Sequence, residues 1–174
     1  TGDWSSDVCS SDLMGDYRKA ITYYEKHLKI AKEIRDQGGA EQAYANLANG
    51  YLSLGDYLKF IEFLEKHLTI AKEIGDQGGE GIAYGNLGVA YHSLGDYRKA
   101  FEYHEKHLTL AKKIEDRASE LMAYHNIGNL YFSLGQCENA VDNFVSARDA
   151  FISLRFLLKS EDNWKIKFRE LHQR

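Results

Sequence analysis

A 40-residue segment recurs along this chain without insertion, and no other feature narrows the choice of fold as far. From Gly15 the sequence reads GDYRKAITYYEKHLKIAKEIRDQGG; from Gly55, GDYLKFIEFLEKHLTIAKEIGDQGG; from Gly95, GDYRKAFEYHEKHLTLAKKIEDRAS. A fourth, divergent copy opens at Gly135 with GQCENAVDNF. A fixed period of this length predicts a stack of supersecondary units, each burying a face on its neighbours. Proline is absent from all 174 residues, which suits uninterrupted helices. The 44% hydrophobic content supplies a core, while no run approaches the roughly 18 apolar residues of a membrane span. A formal charge of −4 argues against a nucleic-acid binder, and two cysteines are too few for a disulfide framework, so a reducing, cytoplasmic setting is expected.

Each period holds two helical patterns. Helix A carries Tyr44, Leu47 and Tyr51 at helical spacing, echoed by Tyr84, Leu87 and Tyr91 and by Tyr124, Ile127 and Tyr131. Helix B starts at Tyr17, Tyr57 or Tyr97 and in the middle copy lines up Ile61, Leu64, Leu68 and Ile74. The Leu-Gly-Asp steps at 54–56 and 94–96 supply a left-handed residue followed by an N-cap, and the Gly-Asp-Gln-Gly-Gly stretch reads as the linker between hairpins.

These residues resemble the tetratricopeptide repeat (TPR) family. The Leu-Gly-x-x-Tyr element stands as Leu87, Gly88 and Tyr91 and as Ile127, Gly128 and Tyr131, with Ala48 replacing glycine in the first full copy. The small residue of helix B is Ala20, Ala100 and Ala140, while tyrosines 44, 84 and 124 occupy the place of the leading tryptophan. Phe60 departs from the small-residue position and should shift that contact. The period of 40 and the Asn-Leu-Gly or Asn-Ile-Gly of helix A resemble the Partner of Inscuteable/G-protein signalling modulator subfamily and the long animal arrays of the tetratricopeptide repeat protein twenty-eight group. The tail from Ser153 resembles the segment that in such arrays precedes further helices and a CHAT domain. The resemblance implies an all-α fold, a right-handed TPR superhelix (α-solenoid) of antiparallel helix hairpins.

The expected organisation begins with a non-native disordered segment at 1–13, because Asp3 to Leu13 looks like a translated sequencing adapter and has neither the basic start nor the apolar stretch of a signal peptide. Without its three aspartates the formal charge moves from −4 to −1. Residues 14–36 form the orphan helix B of a truncated repeat, whose Tyr17, Ile21, Tyr24 and Leu28 should remain as an exposed stripe and a route to self-association. Three hairpins, near 41–74, 81–114 and 121–156, fill 37–157, and 158–174 is a C-terminal helical extension.

No catalytic constellation emerges, and neither a metal nor a cofactor is expected. His27, His67 and His107 recur one period apart, so they form a ladder and do not converge on an ion. His104 and His107 are i, i+3 neighbours without a third ligand. Ser53, Ser93 and Ser133 repeat, which argues against a single nucleophile. Cys137 reads as a small buried hydrophobe at a helix start. Asparagine is the more informative residue, because it is a poor choice for a helix interior and yet recurs there. The resemblance implies that Asn46, Asn49, Asn86, Asn126 and Asn129, flanked by His92 and Phe132, line a concave groove and pair with the backbone of a peptide segment from another protein. The alternative role for these amides is to stitch neighbouring hairpins together. Ala45, Gly85, His125 and Val89 stand where a chaperone-tail clamp would need lysine or arginine, which disfavours that partner. The expected function is thus a protein–protein interaction scaffold that is not an enzyme; the rivals are a structural spacer in a long array and the regulatory front end of a CHAT-type protease.

Overall fold

Aspartate recurs at 36, 56, 76, 96 and 116, and each of these residues starts a helix. In a computed structural model of the chain, the backbone is described for residues 4–172 and the side chains for 15–159. The helices are α1 (Trp4–Glu33), α2 (Gln37–Ser53), α3 (Tyr57–Ile74), α4 (Gln77–Ser93), α5 (Tyr97–Lys113), α6 (Arg117–Ser133) and α7 (Cys137–His172), and the described residues contain no strand. The Asp36 carboxylate accepts from the Gly39 N–H at 2.9 Å, Asp56 from Lys59 at 3.1 Å, and Asp96 from Lys99 at 3.1 Å. Asp116 accepts from the N–H groups of Ala118 and Ser119 and from the Ser119 hydroxyl. Each cap satisfies donors that a helix start leaves without partners, and such a cap stabilises by about 1 kcal/mol.

One residue in the left-handed region precedes every one of these caps. Gly55 and Gly95 have φ of 73° and 78°, as the Leu-Gly-Asp steps predict, and Gly75 has 74°. Arg35 and Glu115 take the same conformation at 57° and 58° without the freedom of glycine. The joints are therefore two or three residues long, and the expected longer linker is absent. Gly38, Gly39, Gly78 and Gly79 lie inside the first turns of α2 and α4, because the aspartate cap outweighs the low helix propensity of glycine.

The chain divides into two compact units, 1–94 and 95–174. In the first, α2 packs on α1 and α3, and α3 packs on α4; in the second, α6 packs on α5 and α7. Leu47, Leu64, Leu87 and Phe60 are fully buried in the first unit, as are Leu130, His104 and Ala123 in the second. Phe60, expected to disturb its contact, is only 2% exposed.

The predicted stripe on the orphan helix is partly covered. Ile21 is buried and reaches the α2 backbone, where a Cβ at Gly50 would lie 2.7 Å from its Cγ1. Tyr17 is exposed and Tyr24 and Leu28 are half-buried; Tyr23 and Ile30 on α1, and Ile34 just beyond its end, are also open. The expectation of disorder over 1–13 meets a helical backbone from Trp4, with the side chains through Met14 outside the described residues. The expected extension at 158–174 is continuous with α7 as far as His172, and its side chains beyond Lys159 also lie outside the described residues.

Candidate functional site

In the first unit, α2, α3 and α4 enclose a recess of about 290 Å³. Gln42, Ala45, Asn46 and Asn49 line it from α2, His67 from α3, and Gly79 and Ile82 from α4. These α2 residues follow one another at i, i+3, i+4 and i+7, which puts them on one face of the helix. Gln42 Nε2 donates to Asn46 Oδ1 at 3.3 Å, so the amide of Asn46 is paired one turn along its own helix.

Glu41 and Asp76 complete the lining of the recess. Glu41 is buried, and its Oε1 lies 3.2 Å from Nε2 of His67, itself 4% exposed. Burial, with the Asp76 carboxylate alongside, holds the Glu41 carboxyl above its ordinary pKa. Burial also pulls the His67 imidazole down, against the opposing influence of Asp76. Gly79 makes room for this arrangement, because a Cβ there would collide with Glu41 Oε1 and lie 2.7 Å from Asp76 Oδ2. Asp76 is also the α4 cap, accepting from Gly78 N–H at 3.0 Å.

Of the groove residues expected from the sequence, the recess brings Asn46 and Asn49 together. Asn86 and His92 lie half-buried on α4 of the same unit. In the second unit, Asn126 and Asn129 are half-buried on α6, and Phe132 is 67% exposed. Sequence reasoning missed Glu41, Gln42, Asp76 and Ile82. The available signal was that position 41 breaks the repeat, its counterparts being Gly81 and Leu121.

The remaining candidates take structural places. Hydroxyls of Ser53, Ser93 and Ser133 donate to the carbonyls of Asn49, Val89 and Asn129 at 3.0, 3.0 and 2.9 Å, closing the last turn of each helix A. His67 and His107 are buried whereas His27 is exposed, and no three metal-ligating side chains are grouped to hold an ion among the described residues. Cys137 is exposed at the first residue of α7, contrary to the buried role expected of it, because the residues around that helix start are all open. The leading tyrosines have a use the pattern did not show: Lys32, Lys72 and Lys112 lie over the rings of Tyr44, Tyr84 and Tyr124 at 5.3, 5.2 and 5.0 Å. Each such contact joins the end of one helix B to the next helix A at roughly 0.5–1 kcal/mol.

A family model described as tetratricopeptide repeat matches residues 12–73, 39–113 and 79–153. The chain belongs to the tetratricopeptide repeat family. Its all-α repeat fold is shared with solved structures. BtubC from P. vanneervenii superposes with a TM-score of 0.73 at 23% identity over 81% of this chain and 59% of that one. The TPR domain of Arabidopsis FLU gives 0.63 at 21% identity, over 67% of this chain and 98% of that one. A STAND signal-transduction ATPase with a TPR sensor from Pyrococcus horikoshii gives 0.74 at 24% identity, over 85% and 23%. The chain thus spans 59% of BtubC and less than a quarter of the STAND protein. No curated protein matches. Membership of the TPR family supports a role as a protein–protein interaction scaffold.

Proposed function

We propose that this TPR chain binds a peptide segment of another protein, extended or helical, along the open faces of its A helices. Asn46, Asn49, Asn86 and His92 serve this role in the first unit, and Asn126, Asn129 and Phe132 in the second. The recess beside α2 carries the reading, because it sets amides of Gln42, Asn46 and Asn49 next to apolar Ala45 and Ile82 in one opening. Such a mixture suits backbone pairing together with side-chain burial. The intrahelical partner of Asn46 supports this use over stitching of neighbouring hairpins. The 40-residue period and the asparagine-glycine pattern support a place near the Partner of Inscuteable and twenty-eight groups. A cytoplasmic setting belongs to the same reading, and no helix among the described residues is long and apolar enough to cross a membrane.

A random dodecapeptide library displayed against the full chain tests this. For a peptide held by the first unit, Asn86→Ala, and for one held by the second, Asn126→Ala, should weaken binding by about 0.5–1.5 kcal/mol in calorimetry, with the thermal midpoint unchanged. Lost stability with undiminished binding would assign these asparagines to stitching instead.

A further inference from the structure

We propose that the recess of the first unit recognises a basic side chain, lysine or arginine, of the bound segment; this rests on the peptide-binding reading above. Glu41 and Asp76 are the charged residues of its lining, and no lysine or arginine joins them. A volume of 290 Å³ lies just below the roughly 300–1,000 Å³ of pockets that take a whole small molecule, and suits one long side chain. Ala45 and Ile82 offer an apolar wall for an aliphatic stem, while the carboxylates receive the charged head.

His67 gives the recess a polar wall. Its ring is 4% exposed and lines the recess, its Nε2 lies 3.2 Å from Glu41 Oε1, and its Nδ1, like that of His107 one period on, has no hydrogen-bond partner. Held neutral by burial, it adds no positive charge to oppose an incoming cation. Glu41 is also not a requirement of the repeat, since Gly81 and Leu121 stand at its counterparts, and a buried carboxyl is unfavourable unless something compensates it. A metal ion is a poorer occupant, because no set of three ligating side chains is assembled among the described residues.

The test uses the tightest dodecapeptide selected on the full chain, and copies with each lysine or arginine replaced by norleucine. Calorimetry should find one basic residue whose replacement weakens binding to the native chain by about tenfold or more, yet by less than about twofold to Glu41→Gln. Ile82→Arg supplies a second variant. Position 82 is 60% exposed, so folding should persist while the new guanidinium fills the recess. That variant should lose about tenfold in affinity for the basic peptide, and Ile82→Gln less than about threefold. If Asn46→Ala abolishes binding but norleucine peptides bind the native chain as well as basic ones, the peptide groove stands and the basic-side-chain proposal falls. If Ile82→Arg and Ile82→Gln behave alike, the proposal falls as well. If no peptide is enriched, both readings fall together.

Discussion

Arg35 and Glu115 sit with φ near 57° at joints where Gly75 takes the same conformation freely. A left-handed backbone costs a side-chain-bearing residue about 1–2 kcal/mol, partly offset by the greater unfolded-state entropy of glycine. Arg35→Gly and Glu115→Gly should therefore each stabilise the chain by about 0.5–1 kcal/mol in urea unfolding. Equal or lower stability would show that these side chains make compensating contacts. Glu41 shows where reading single residues from the sequence stops. Asn46, Asn86 and Asn126 were legible because they recur at 40-residue intervals, and the first lies in the recess. Glu41 occurs once, on a helix whose period advertises only what is shared, and its importance comes from His67 and Asp76, 26 and 35 positions away.

Between elements, glycine and aromatic residues exchange volume. A Cβ on Gly128 of α6 would lie 2.6 Å from the ring of Phe144 on α7, closer than real contacts allow. The equivalent pair 80 residues earlier is Ala48 and Leu64, both fully buried, so a larger A-helix residue accompanies a smaller B-helix one. Gly128→Ala should destabilise by about 1–3 kcal/mol despite its gain in helix propensity. Adding Phe144→Leu should recover most of that loss, and a double-mutant cycle without coupling would refute the pairing. At this scale the sequence was read well for element order, since period and spacing encode both helices of each copy. It was read less well at helix starts, because glycine pairs look like linkers until the aspartate cap before them is seen to hold the first turn.

Over the whole molecule, a histidine at the same repeat position is buried in each unit, His67 in the first and His107 in the second. Burial lowers the pKa of both, against the opposing influence of Asp76 and Asp116 respectively. The folded chain therefore takes up fewer protons than the unfolded one below pH of about 6.5, so their contribution is full above that value and lost as pH falls. Asp116, lowered chiefly by the Ser119 hydroxyl, adds stability that is lost in stronger acid. The raised Glu41 acts in the opposite sense, favouring the folded state in acid and weakening it as pH rises above about 4.5. The thermal midpoint should fall between pH 7 and pH 5, by roughly 2–4 °C for each kcal/mol lost. His107→Gln should flatten that slope in circular-dichroism melts, and an unchanged slope would exclude this histidine as its source.

The joints described above also bear on how such a gene changes length. Each pairs one left-handed residue with one capping aspartate, and they fall 20 residues apart from Arg35–Asp36 to Glu115–Asp116. Excising residues 36–75 would bring Arg35 directly before Asp76, recreating the kind of joint that was removed. Unequal recombination between copies therefore gains or loses whole periods without inventing a turn. The number of rungs presented to a partner can drift in evolution while the chemistry of every connection stays the same.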